Sequence, residues 1–356
     1  MCIRARGCSE TCTYRYVIDT TSNTNPGGAY GAATTDTQAT GTGTYYIHVQ
    51  AQDAAGNESA VVHVSVMMDN TAPQVNSVTS STADGTYKVG DAITVTVTFD
   101  GAVTVDTTGG TPSITLETGT TDQSATYSSG STSSTLSFTY TIQSGDNSSD
   151  LQYVATTSLV TNSGTIRDSA GNDATLTLPA LASASSLGGS KAIVVDGVVP
   201  TVTGLSNDAT PTKSKTWTWG CSETCTYRYV IDTTSNTNPS GAFAAATTDT
   251  QATGTGTYYI HVQARDSAGN ESAVVHVSAV LDNTAPQVSS VSSSTADGTY
   301  KIGDTITVTV TFDSAVTVDT TGGTPGITLE TGTTDREASY VAGSTTTTLS
   351  LSLIHI

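Results

Sequence analysis

The residues able to do chemistry in this chain come in pairs, and each pair occurs twice. Cys8-Ser9-Glu10-Thr11-Cys12 recurs as Cys221-Ser222-Glu223-Thr224-Cys225. Trp217-Thr218-Trp219 precedes the second copy and Tyr227-Arg228-Tyr229 follows it. Both flanks alternate apolar and polar residues, so Ser222-Glu223-Thr224 reads as a tight hairpin loop with a cysteine on each facing strand. Cysteines so placed meet disulfide geometry, and a disulfide is the default state in an exported protein. Free thiols and a metal site are the alternatives. Zinc needs four ligands, and neither cysteine pair has a second pair beside it.

Acidic turns are the second candidate. Asp53, Asn57 and Glu58 lie in Asp53-Ala54-Ala55-Gly56-Asn57-Glu58, and Asp266, Asn270 and Glu271 repeat them. Asp168 to Asp173 has the same form. Asp69 with Asn70, and Asp282 with Asn283, stand shortly before prolines in linker-like segments. Calcium takes roughly six to eight oxygen ligands from carboxylates, amides and carbonyls. A turn carboxylate and a linker carboxylate meeting at a module junction would supply several, making calcium the candidate cofactor. The competing reading is that Asp and Asn cap turns through their own backbone while Gly adopts positive φ.

Histidines form the third pair. Centring a hairpin on Ala55 and Gly56 pairs residues whose numbers sum to 111, so Ile47 faces Val64, His48 faces His63 and Val49 faces Val62. With the apolar pairs turned to the core, the histidines are expected to face solvent. His261 and His276 repeat the arrangement, and no third metal ligand accompanies either pair. Catalytic patterns are missing: the chain has no His-Glu-x-x-His, Gly-x-Ser-x-Gly or phosphate-binding loop. The expectation is therefore no catalytic residues and no enzyme activity.

The elements that must hold these residues are set by one long repeat. The offset of 213 between Cys8 and Cys221 holds without a gap to Ser137 and Ser350, with exchanges mainly among Ala, Ser, Thr and Gly. Asp69-Asn70-Thr71-Ala72-Pro73 and Val195-Asp196-Gly197-Val198-Val199-Pro200 divide the period, and proline suits a semi-rigid linker. The chain reads as a partial module A (1–70), a module B (71–197), a complete module A (198–283) and a partial module B (284–356). Ile93-Thr94-Val95-Thr96-Val97-Thr98-Phe99 and Leu136-Ser137-Phe138-Thr139-Tyr140-Thr141-Ile142 alternate with period two, the mark of a strand with one buried face. No helical periodicity is present. Short strands between frequent turn signals predict an all-β chain of sandwich modules.

Tyr258-Tyr259-Ile260-His261-Val262-Gln263-Ala264-Arg265-Asp266-Ser267-Ala268-Gly269-Asn270-Glu271-Ser272 resembles the final hairpin of bacterial immunoglobulin-like and fibronectin type III-like modules. Ala83-Asp84-Gly85-Thr86-Tyr87-Lys88-Val89-Gly90-Asp91, with Ser144–Asp150 and Asp168–Asn172, resembles the Ig-like repeats of very large bacterial surface proteins, including those named for swimming motility. The resemblance implies tandem Ig-like β-sandwiches in a linear array. It further implies an extracellular or cell-surface place, and a role as stalk or adhesive unit.

Composition agrees. With 12 Lys+Arg against 31 Asp+Glu the net charge is −19, which leaves no footprint for nucleic acid. No apolar run approaches the roughly 18–20 residues of a membrane span. Leu351-Ser352-Leu353-Ile354-His355-Ile356 matches a translated transposon mosaic end, and Met1-Cys2-Ile3-Arg4 matches its reverse complement, with Ala5 departing from it. Both ends are therefore expected to be non-native, and Cys2 and His355 carry no chemistry. The expected function is structural or adhesive: spacing or displaying binding units, with neighbouring modules as partners and host or environmental glycans or proteins beyond them. Alternatives are a binding module proper, with Tyr227, Tyr229, Tyr258 and Tyr259 as the aromatics to inspect, or accessory modules of an extracellular enzyme.

Overall fold

The computed structural model describes residues 2–4, 8, 11–181 and 183–354. Met1, Ala5, His355 and Ile356 of the adapter-like ends, and Ser9 and Glu10 of the first cysteine loop, lie outside the described residues. The fold is all-β. Its one helix among the described residues is a single turn at Leu187–Ser190, capped by the Ser186 hydroxyl accepting from Gly189 N.

Residues 198–283 form a sandwich. A four-stranded sheet runs in the order Asp208–Thr212, Val275–Leu281, Gly256–Arg265, Thr226–Asp232. Lys215–Thr218 pairs with Thr248–Gln251, and Val202–Thr203 with Gly220–Cys221. Alternation on Gly256–Arg265 sends Ile260, Val262 and Ala264 inward onto Trp217, Trp219 and Tyr227. Large aromatic surfaces bury much apolar area per residue, which suits a module this small.

Residues 71–197 carry the largest core. The fifteen-residue strand Ala92–Asp106 pairs with Ser133–Thr141, Val75–Ser80 and Thr165–Arg167. Ile93, Val95, Val97 and Phe99 point inward from it, opposite Leu136, Phe138 and Tyr140, all almost fully buried. The outward positions are threonines, whose β-branch suits a half-exposed strand. Ile193–Asp196 pairs in parallel with Gly85–Lys88 and closes the module.

The two outer repeats have smaller cores. In residues 11–70 the sheet is Cys12–Asp19, Gly43–Asp53, Val62–Met68, and among the described residues none takes the edge place of Asp208–Thr212. Val62 and Val64 are exposed there, whereas Val277, the counterpart of Val64, is buried. Cys2–Arg4 lies against Thr35–Thr37 in the place of Lys215–Thr218, one residue out of register: Cys2 faces Thr37, while Lys215 faces Gln251. At the other end Thr346–Ile354 pairs with Thr305–Val316, so the adapter-like Leu351 and Leu353 are buried.

Candidate functional site

Three settings hold the residues singled out by the sequence. Disulfides join Cys8 to Cys12 and Cys221 to Cys225, each with Cα atoms 6.2 Å apart. The local path differs from the expected hairpin. Gly220–Cys221 pairs with Val202–Thr203, while Thr226–Asp232 pairs with Gly256–Arg265. The cysteine flanks therefore belong to different sheets, and the bond staples an arch between them rather than the base of a hairpin. Both Cys221 and Cys225 pack against the Trp217–Trp219 core. Glu223 in the arch has its carboxyl pushed up by burial, with Asp266 and Asp196 adding to the shift.

The acidic turns share one geometry. Asp266 Oδ1 accepts from Gly269 N and Asn270 N, and its Oδ2 accepts from Asn270 Nδ2 at 2.9 Å. Asp53 accepts likewise from Ala55 N, Asn57 N and Asn57 Nδ2, which holds its carboxyl below the usual range. Asp168 repeats the pattern; burial acts upward on it, and the hydrogen bonds from Asn172 and the turn amides outweigh that. Glu58 and Glu271 are engaged by Arg15 and Arg228, at 3.3 and 3.1 Å.

The expected meeting of Asp53 with Asp69, and of Asp266 with Asp282, does not occur; the turn carboxylate that shares a junction with Asp69 is Asp168 of the following module, beside Asp100. Gly43 pairs with Met68 and Cys12 with Asp53, so Asp53 and Asp69 sit at opposite ends of one hairpin. At 3.3 Å per residue they are separated by about 30 Å. Asp266 and Asp282 stand in the same relation, since Gly256 pairs with Leu281. A calcium ion cannot bridge either pair. Asp69 and Asp282 instead accept from Thr71 N and Thr284 N within their own linkers. Among the described residues no group of three or more His, Cys, Asp or Glu side chains is placed to hold a metal.

What the turns do contact is the linker ahead of their own module. Asn172 Nδ2 donates to Asp69 O at 3.0 Å and lies 3.4 Å from Thr71 O. Asn270, only 4% exposed, donates to Asp196 O at 2.9 Å, and its Oδ1 accepts from Val89 N of the preceding module at 3.0 Å. The linkers are also tied backwards. Asn70 Nδ2 donates to Gly41 O and its N–H to Thr42 Oγ1. Gly197 N donates to Asp146 O at 2.7 Å, and Gly145 N to Gly197 O at 2.8 Å. Asn283 holds Gly254 O and Lys213 O in the same way as Asn70. Sequence reasoning offered these asparagines as ion ligands or as caps of their own turns, not as ties to the linkers. Their recurrence both in turns and beside linkers was the available signal.

The histidine register is as the sum rule gives it: Ile47 faces Val64, His48 faces His63, Val49 faces Val62. The solvent-facing expectation fails for one histidine of each pair, while His63 is exposed and His276 half-exposed. His48 and His261 are 0% exposed. His261 Nδ1 lies 2.6 Å from His276 Nδ1, and its Nε2 lies 3.2 Å from Asp232 Oδ1. His48 stands 2.5 Å from His63 and 3.2 Å from Asp19. Tyr259 and Tyr46 stack beside these rings. Asp19 and Asp232, which no motif marked, are held low first by the Thr24 and Thr237 side chains. Of the four tyrosines to inspect, Tyr227 is in the core and Tyr229 lies 4.8 Å from the Trp219 ring, while Tyr258 and Tyr259 are half-buried.

The sheets define a tandem β-sandwich protein. No family model and no curated sequence matches the chain. Among solved structures it is similar to the fibronectin(III)-like modules of Clostridium thermocellum CbhA, at 16% identity and a TM-score of 0.23 over 57% of this chain and 93% of that one. It is also similar to the FN1–FN3 domains of chicken CNTN1, at 14% identity and a TM-score of 0.23 over 77% of this chain and 91% of that one.

Proposed function

We propose that this chain is a non-enzymatic spacer region of a large bacterial cell-surface or secreted protein, holding adhesive or other binding units at a distance. The observation that supports it most is the two-sided grip on the linkers at Asp69–Thr71 and Asp196–Gly197. A linker with unpaired backbone groups swivels freely in water. One whose carbonyls and amides are bonded to the modules on both sides transmits orientation, which is what a stalk requires. The disulfides suit an exported, oxidising setting. A net charge of −19 keeps neighbouring rods apart. The partners are then the adjoining modules and, through the displayed units, surface glycans or proteins. The same rod would serve as an accessory to a catalytic domain elsewhere in the same protein.

Small-angle scattering of the full chain tests this. The expected profile is that of an extended particle with a well-defined maximum dimension. The paired changes Asn172→Ala and Asn270→Ala should shorten its mean length and broaden the distance distribution. A wild-type profile already typical of freely jointed beads, and unchanged by the substitutions, would refute the spacer reading.

A further inference from the structure

We infer that the last repeat is an acceptor for a β-strand supplied in trans: residues 288–304 present a preformed edge and apolar face that take an extended peptide with the sequence of residues 183–196. The complete repeat shows what fills this place. In module B, Val78 N donates to Ser185 O at 2.8 Å, and Ser190 Oγ donates to Val78 O at 3.3 Å. Gly85 N donates to Ala192 O, and Asp84 Oδ1 accepts from Ala192 N and Lys191 Nζ, each at 3.1 Å. Ile193–Asp196 then runs parallel to Gly85–Lys88. Leu187, Ile193 and Val195 are buried in the same core as Val78.

The last repeat keeps the receiving side. Val291, Asp297 and Gly298-Thr299-Tyr300-Lys301 stand where Val78, Asp84 and Gly85-Thr86-Tyr87-Lys88 stand one repeat earlier. The same bonds hold this side in shape. Ser293 Oγ to Thr307 O, Thr307 N to Thr295 Oγ1 and Lys301 N to Asp304 Oδ2 repeat Ser80 Oγ to Thr94 O, Thr94 N to Thr82 Oγ1 and Lys88 N to Asp91 Oδ2. Val291 faces Val310 as Val78 faces Val97. Only the filler differs, because residues 183–196 are not repeated within this sequence. Val291 is 57% exposed where Val78 is 0%. Residues 298–301 pair with no strand among the described residues, whereas Gly85–Lys88 does.

An open strand edge beside an uncovered apolar position is a template for a further strand. Main-chain bonds hold the incoming strand, and its alternate side chains select it. Ile193 and Val195 supply the inward positions, and Leu187 sits on the single turn that packs against Val75–Ser80. Lys191 brings a cation to Asp297 as it does to Asp84. A receiving side already ordered loses little conformational freedom on binding. A second copy of the chain could supply the segment only by pulling Leu187, Ile193 and Val195 out of its own module B core, so a free peptide is the favoured occupant. The inference does not depend on the spacer reading.

Residue-resolved hydrogen exchange on the full chain, with a synthetic peptide of residues 183–196, tests this. With the peptide at about ten times its dissociation constant, the Val291 and Gly298 amides should exchange about tenfold more slowly. Val78 and Gly85, whose partners are already in place, should not change. A peptide carrying Leu187→Asp and Ile193→Asp should protect neither amide. The unaltered peptide should likewise fail on a Val291→Asp chain, which keeps its fold because the position is exposed. No slowing at Val291 and Gly298 up to about 1 mM peptide would overturn the inference. So would equal slowing by the doubly substituted peptide, since the edge would then take any strand. Protection of Val291 that rises with chain concentration in the absence of peptide would put a second copy on this face and overturn the assignment to a free strand.

Discussion

Removing the Asn270 side chain should free the joint ahead of the second module A without unfolding either neighbour. Asn270→Ala deletes the donor to Asp196 O and the acceptor for Val89 N, at 2.9 and 3.0 Å. Each such bond contributes about 1 kcal/mol net, and an orphaned, partly buried donor adds to the cost, so the joint should lose about 2–3 kcal/mol. At about 1.4 kcal/mol per decade, that speeds exchange of the Val89 amide about 30- to 150-fold. The adjacent Gly90 amide donates to Ile142 O inside module B and should not change. Gly269 N, capped by Asp266 Oδ1, reports on the turn itself. Val89 exchange within about threefold of wild type, a difference under about 0.7 kcal/mol, would refute the clasp. So would Gly90 accelerating in step with Val89, because module B would then be opening as a whole.

Further outcomes follow from the same structure. Cys221→Ser with Cys225→Ser opens a five-residue loop and should cost module A about 2 kcal/mol by chain entropy, leaving module B amides unmoved; denaturant melts resolved by exchange check it, and a loss confined to module B would refute it. Val78→Ala should destabilise module B by about 2 kcal/mol, whereas the repeat-equivalent Val291→Ala should cost under about 0.5 kcal/mol, because Val78 is 0% and Val291 57% exposed. Equal costs in urea unfolding would contradict that. Asp208 is held low first by Lys215, so its folded carboxyl ionises below the unfolded value. Its contribution is present above about pH 3.9 and is lost as pH falls through the folded value. Asp208→Asn should therefore weaken module A at neutral pH and flatten its acid limb below about pH 4; an unaltered acid limb would refute that assignment.

Alternation was enough to read strand class and, with the turn centred on Ala55 and Gly56, the residue-by-residue register of the histidine hairpin. Ile260 and Val262 turn inward as Thr, Val and Ile periodicity requires. Alternation says nothing about what lies over the outer face. His261 occupies an outward position and is still buried, with Tyr259 stacked beside it and Asp232 and His276 against its two ring nitrogens. The cysteine arch misled for a related reason. A three-residue gap between two alternating segments suits a tight hairpin and equally an arch between sheets, and only the long-range pairing of Gly220–Cys221 with Val202–Thr203 decides. The junctions needed topology as well: strand direction sends the Asp266 turn to the linker before its module and Asp282 to the linker after it.

The far strand shows how little of this depends on residue identity beyond pattern. Leu351-Ser352-Leu353 sits where Phe138-Thr139-Tyr140 sits one repeat earlier, and pairs with Val308 and Ile306 as those pair with Val95 and Ile93. Apolar residues at every second position meet the pleat, so the strand is accepted and both leucines are buried. What is lost is specific. The Tyr140 hydroxyl donates to the buried Asp146, and that carboxylate also accepts from Gln143 N and Gln123 Nε2, fixing the turn that Gly197 binds. Leu353 has no hydroxyl with which to make that contact. Pattern thus builds the sheet, while single polar residues such as Asp146, Asn172 and Asn270 set how modules join.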